Sequence, residues 1–346
     1  MLGWLRKWMG GKPASEKASL SHGRPAVTES PAEEPESGSP CDPNSPISVG
    51  LERDYFALLM GVDSMVNRPL IKLEREALET LIELVKDSHS LSSQVPRLPT
   101  LLPKLMHSLH DPNKSGRQLA ELIRSDPVTV AEVLRTANSP YYRTHSKIRD
   151  IEHAIMVLGS SGLRETVARI ALRPVVQFDA GLYNQTFAPR IWEQANKCAS
   201  ACSLLASALR VDRFDAFLAG LMHNVGAAVA FRIMNRLMGK TPPPAGEHFR
   251  QMLTVVTPRL TYRVAREWAL PETVVAGLHP KDTGSPLGQV VLTAARLAKL
   301  HTLVVAERYL PERYAESWIC VPRLRRHQAG CIEELDRVLH LVGNAG

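Results

Sequence analysis

From residue 47 onward, apolar residues recur at intervals of three and four. Phe56, Leu59 and Met60 mark one such face, and Leu73, Ala77, Leu78, Leu81, Ile82, Leu84 and Val85 mark another. Alternating β-branched runs are nearly absent, and no Asn-Gly or Asp-Gly turn joins any pair of them. The pattern predicts an all-α fold. Its punctuation is legible in places. Asp126 before Pro127 reads as an N-cap with Pro at the first helical position, ahead of the run Val128 to Ala137, and Asn138-Ser139-Pro140 closes that helix. Thr257-Pro258 has the same grammar and predicts a second start with Thr257 as N-cap, while Leu270-Pro271 opens a third helix. The TPPPAG stretch at 241–246 reads as a linker, so the helices are expected in two subdomains.

Residues 1–46 break the period. Between positions 11 and 46 there are seven Pro, seven Ser, three Gly and five Glu, too little apolar surface to fold, so a disordered tail is expected. Trp4, Leu5 and Trp8 lie beside Arg6, Lys7 and Lys12 at helical spacing. Ten residues are short for a stable helix, and weak contact with a membrane or partner is the most expected of residues 1–10.

Composition adds size and charge to this picture. The chain has 346 residues, 44% hydrophobic and 22% charged, enough to bury a core without disulfide or metal staples. The formal net charge is +7, written with 30 Arg and 12 Lys; the tail contributes −1, so the surplus belongs to the folded part. Cys41, Cys198, Cys202, Cys320 and Cys331 show no CxxC pair and no metal-type spacing. Cys198 and Cys202 stand one helical turn apart in an apolar run and are expected in the core. With no signal-peptide pattern and no run of 18 apolar residues, the expected setting is the cytoplasm.

One segment carries candidate chemistry. DAFLAGLMHNVGAAVAF, residues 215–231, sets His223 and Asn224 on an apolar helix followed by Gly226, read as loosening or ending the turn. Together with the LPTLLPKLMHSLH…NSPYY stretch (98–142), DIEHAIMVLGSSGLRETV (150–167), IWEQANKCASACSLLA (191–206) and EWALPETVVAGLHP (267–280), it resembles the HDOD family, the output-domain relatives of the HD phosphohydrolases. The resemblance implies an HDOD domain over 91–300, preceded by a helical segment at 47–90 and followed by a helical extension at 301–346. It also implies where HD enzymes hold divalent metal. The early His position falls near Gln194, the His-Asp pair is His223-Asn224, a later His falls at Thr257, the His after the LP turn is His279, and the closing Asp aligns with Arg296.

Those substitutions all weaken a metal site. Hydrolytic centres need anionic or imidazole ligands to acidify a bound water, whereas Asn and Gln offer neutral amides and Arg296 a permanent cation. The expectation is a degenerate pocket, with no metal, cofactor or catalysis, in which Arg296 binds a small anion or pairs with a neighbour.

Arg259, Arg263 and Arg266 form one basic stripe, read as carrying no interleaved aromatic and therefore as a solvated face rather than a nucleic-acid footprint. The function expected from the resemblance is a non-catalytic signalling protein whose partners are other signalling proteins. The alternatives are a residual HD-type nucleotide phosphohydrolase and a nucleic-acid-binding regulator.

Overall fold

The computed structural model describes residues 46–95, 116–124, 126–142, 147–176, 182–239, 241, 243–282, 284–318 and 321–342. The tail with Trp4 and Trp8, the 98–115 stretch and Cys320 lie outside these residues. The described chain is α-helical, with a single bridge of β type between Val66 and Gly246.

Thirteen α-helices are described, with short 3-10 turns at Ala206–Leu209, Pro311–Trp318 and Pro322–His327. α1 (Pro46–Met60), α2 (Lys72–Lys86) and α3 (Ser88–Gln94) come first, followed by α4 (Gly116–Arg124), α5 (Pro127–Ala137) and α6 (Ile151–Val176). α7 (Leu182–Leu205) leads to α8 (Arg213–Met222), α9 (Val225–Met238) and α10 (Glu247–Glu267). α11 (Glu272–Gly277), α12 (Pro286–Val305) and α13 (Gln328–Val342) complete the order. The described residues all fall within one compact unit.

The centre is α7. It packs against α8, α9, α12 and α13, with α1 and α6 also touching it. Small side chains permit this crowding. Ala195, Cys198, Ala199, Ala201 and Cys202 are buried, and a Cβ on Gly220 of α8 would lie 2.7 Å from the Ala199 Cα. The expected core placement of Cys198 and Cys202 therefore holds. α9 lies on α10, and α10 also packs on α2. The connection through 241–246 thus joins two helices that face each other. α8 and α9 together are apolar enough to pass as a membrane span, yet 78% of that window is buried inside the protein.

Local grammar explains several ends. Asp126 accepts from the Val128 and Thr129 amides, as its N-cap position predicts. α5 ends at Asn138, whose side chain donates to Leu134 and Ile148 carbonyls. The expected start at Thr257-Pro258 is not there. Both residues lie inside α10, which begins after Gly246, and the Thr257 hydroxyl donates to the Leu253 carbonyl at 2.9 Å. An interior Pro forfeits a hydrogen bond and crowds the preceding turn, a cost of about 3 kcal/mol. Burial overrides it, because Leu253, Val256, Leu260, Thr261 and Val264 fasten the same helix to the core on both sides of the proline.

Candidate functional site

The His223-Asn224 pair does not sit on one continuous helix. α8 ends at Met222 and α9 begins at Val225, so the pair makes the corner between them. Gly226 has a different purpose from loosening that corner. A Cβ there would lie 2.0 Å from the Thr257 carbonyl oxygen, so the glycine permits close approach of α9 to α10. Thr261, buried on α10, fastens the arrangement: its hydroxyl donates to the His223 carbonyl and accepts from the Gly226 amide, both at 3.0 Å. Nothing in the sequence set Thr261 apart from other helix-face threonines.

The imidazole is oriented by its own helix. His223 Nδ1 lies 2.7 Å from the Gly220 carbonyl, a contact that assigns the hydrogen to Nδ1. Nε2 is buried and meets no oxygen or nitrogen partner among the described residues, while the ring's neighbour on α7 is the Cys198 thiol. Gln194, 1% exposed on α7, donates through its amide nitrogen to the Ala295 carbonyl at 3.3 Å and leaves Oε1 without a partner. The Gln194 Oε1 is thus a buried acceptor with unmet demand, a cost of about 1–3 kcal/mol.

Cys198 lies one turn beyond Gln194 on the same face of α7. Burial pushes its thiol up, but the hydrogen bonds with Cys202 and His223, together with the His223 charge, outweigh this and bring it down. Burial and the same partner push Cys202 the opposite way.

A cleft of about 420 Å³ opens at the corner. His223, Asn224, Thr257, Arg296 and Lys299 supply its polar wall, and Leu51, Phe56, Leu59, Ile191 and Phe231 much of its apolar one. The structure therefore brings His223, Asn224, Thr257 and Arg296 together, with Gln194 tied to Ala295 beside Arg296. His279 stands apart from them. It lines a neighbouring cleft of about 360 Å³ with Arg259, Tyr262, Arg263 and Lys281, which borders the first along Thr254, Pro258 and Pro280, lining residues of both. Its ring meets Tyr262 edge-on at 4.8 Å, and its Nδ1 accepts from the Lys281 amide.

The basic stripe needs a correction. Tyr262 lies within it, between Arg259 and Arg263 in sequence, and the Arg266 guanidinium stands 6.0 Å from the ring centroid. An aromatic does accompany these arginines.

The donor set does not suit a divalent metal. Among the described residues no three His, Cys, Asp or Glu side chains converge as a metal requires. The Thr257 hydroxyl is committed within its helix, and Arg296 and Lys299 bring two cations to the wall. The one lining carboxylate, Glu52, lies 2.5 Å from Lys299.

α1 was the part of this site that sequence reading did not reach. Ser48, Leu51, Glu52, Tyr55, Phe56 and Leu59 all line the cleft. Their helical period was evident, but not the surface they would cover.

Known proteins share this fold. A structure from Shewanella amazonensis SB2B, named for a conjectured metal-dependent phosphohydrolase, is 20% identical, with a TM-score of 0.55 over 79% of this chain and 99% of that one. An HDOD domain protein of unknown function from Geobacter sulfurreducens is 18% identical, with a TM-score of 0.54 over 76% and 98%. A conjectured signal transduction protein from Marinobacter aquaeolei VT8 is 18% identical, with a TM-score of 0.51 over 85% and 66%. By sequence, an uncharacterised protein of Treponema pallidum (strain Nichols) is 23% identical over 238 residues, 66% of this chain but only 45% of its own length. The HDOD domain sequence model matches residues 95–281, more than half of the chain, from before α4 to the turn that carries His279, and the protein belongs to the HDOD family.

Proposed function

We propose that this HDOD protein is a regulatory signal-transduction module that works through ligand sensing and contact with other signalling proteins, not through hydrolysis. The observation that carries the reading is the side-chain set at the corner. His223 and Asn224 share their cleft with Arg296 and Lys299, and the one lining carboxylate is already matched to Lys299. A divalent metal there would face the Arg296 cation and the Lys299–Glu52 pair with a single imidazole and one neutral amide as ligands, and would be held poorly. A cationic wall beside apolar surface suits a small anion instead. Buried free thiols at Cys198, Cys202 and Cys331 agree with a reducing compartment, so the module is assigned to the cytoplasm.

The imidazole of His223 on the cleft wall favours a second reading, a residual phosphohydrolase, in keeping with the name of the Shewanella neighbour. Elemental analysis of the purified protein separates the two, together with nucleotide hydrolysis assays in added Mn²⁺ and Mg²⁺. The regulatory reading expects metal well below one equivalent, unchanged in His223→Ala, and no turnover above buffer. Stoichiometric Mn, Fe or Zn that disappears in His223→Ala, with turnover lost alongside it, would establish the hydrolase.

A further inference from the structure

α1 answers the cleft's cations with its own side chains. Glu52 Oε1 lies 2.5 Å from Lys299 Nζ, and Arg296, nearly one turn earlier on α12, donates to the Ser48 hydroxyl, one turn before Glu52 on α1. The Lys299 ammonium also stands 5.6 Å from the Tyr55 ring centroid. The far end of α1 is held elsewhere. Arg190 donates to the Leu58 and Leu59 carbonyls at 2.7 and 2.9 Å, Tyr309 donates to Asp54 at 2.8 Å, and Arg308 donates to the Val62 carbonyl at 3.1 Å. The first half of α1 is thus tied to the cleft's own charges, and its end is anchored outside the cleft.

We propose that the cleft binds a small organic carboxylate with an apolar body, and that Glu52 is its internal competitor. The ligand's carboxylate replaces Glu52 on Lys299, its body enters the space bounded by Phe56, Ile191 and Phe231, and the first half of α1 is released while its end stays anchored. The proposal rests on the sensory reading of the pocket given above.

The ligand class follows from the contacts. The group that satisfies Lys299 in the closed form is a carboxylate, so exchange for another carboxylate leaves no half-buried charge unpaired. An exchange of like for like is nearly neutral electrostatically, and the driving force comes from the apolar body. The cleft's volume of about 420 Å³ is within the range of small-molecule sites. A neutral ligand gains nothing from displacing Glu52, and a bare carboxylate gains no apolar burial.

Octanoate is a suitable probe, with 1-octanol and acetate as controls lacking charge and body respectively. Calorimetric titration of the full chain is expected to show octanoate binding and neither control. Glu52→Gln removes the competitor and is expected to tighten octanoate about tenfold, whereas Lys299→Met weakens it at least about tenfold. Hydrogen exchange adds a readout of mechanism: octanoate raises exchange in amides 49–53 of the wild type and changes it little in Glu52→Gln, where the tie is already lost. Unaltered thermal melts show that both variants fold.

Several results overturn the proposal: octanol binding as tightly as octanoate, indifference to both substitutions, unaltered exchange in α1, or no octanoate binding to wild type or Glu52→Gln. Any of these without metal-dependent turnover removes this site and leaves the regulatory reading standing. Turnover that depends on His223 removes the regulatory reading whatever octanoate does.

Discussion

At the scale of single residues, the corner between α8 and α9 depends on Gly226 more than on its neighbours of stronger chemical character. His223 is oriented by a carbonyl three residues back, a contact any helix end can supply. The position of that end against α10 is another matter, because the Thr257 carbonyl occupies the place a Cβ would need. Gly226→Ala forces α9 away from α10 and disturbs both hydrogen bonds of Thr261. The expected loss is about 2–4 kcal/mol, combining overpacking with a broken buried hydrogen bond. Gly159 makes the informative contrast. Its φ of 65° and ψ of 175° lie in a region essentially confined to glycine, yet a Cβ there meets nothing within 4 Å, so Gly159→Ala carries only backbone strain of about 1–3 kcal/mol. Denaturant titration of both variants checks the ranking. A Gly226→Ala protein no less stable than Gly159→Ala would mean that α9 and α10 are not so closely apposed.

At the scale of elements, α10 shows how local grammar and tertiary packing can disagree. Thr-Pro reads as a helix start because Thr caps well and Pro lacks an amide that a first turn does not need. In α10 the same dipeptide lies near the middle of a 21-residue helix. The two placements predict opposite responses to Pro258→Ala. At a first helical position alanine gives no gain. In the interior it restores an amide donor and relieves the ring's contact with the preceding turn, offset by a more flexible unfolded chain. The variant is therefore expected to be about 1–2 kcal/mol more stable, read as a raised midpoint in urea. A lowered midpoint would place the helix start back at Thr257.

The same element explains what the sequence could and could not reveal. Asp126-Pro127 was read correctly because an N-cap is satisfied by amides two and three residues away, all within one short segment. Thr257-Pro258 was misread because the deciding contacts come from Gly226 and from α2, far away in the chain. His223, Asn224, Thr257 and Arg296 were found through spaced motifs of a known family, and they do line one cleft. Ser48, Glu52 and Lys299 belong to the same cleft but fall outside any such motif. Their pairing spans about 250 positions, and an amphipathic period says that a helix is covered without saying by what. Tyr262, by contrast, stands within the stripe's own sequence, between Arg259 and Arg263.

At the scale of the whole molecule, buried charge on the central helix joins distant parts of the chain. Lys197 on α7 has no exposed side-chain surface; it pairs with Glu193 at 2.6 Å and donates to Thr302 of α12 at 3.0 Å. Beside Thr302, His301 is buried against the Tyr314 ring, and its Nε2 lies 3.0 Å from Asp336 of α13. This contact helps hold the last helix to the body. Burial, reinforced by the Lys197 charge, lowers the His301 pKa below its usual 6.5, against the opposing pull of Asp336 and Glu193. A base with a depressed native pKa favours folding above its unfolded value. As pH falls below about 6.5, the unfolded chain takes up a proton that the native state resists, and stability drops until the native ring is also protonated. Thermal midpoints are therefore expected to decline between about pH 7 and 5, over and above the decline shared by all carboxylates. His301→Gln keeps a polar group of similar reach without the titration, and its midpoint should fall less steeply over the same interval. Asp336→Asn removes the contact that favours the imidazolium, lowers the native pKa further and steepens the decline. Parallel profiles for all three proteins would show that His301 does not govern how α13 is retained in mild acid.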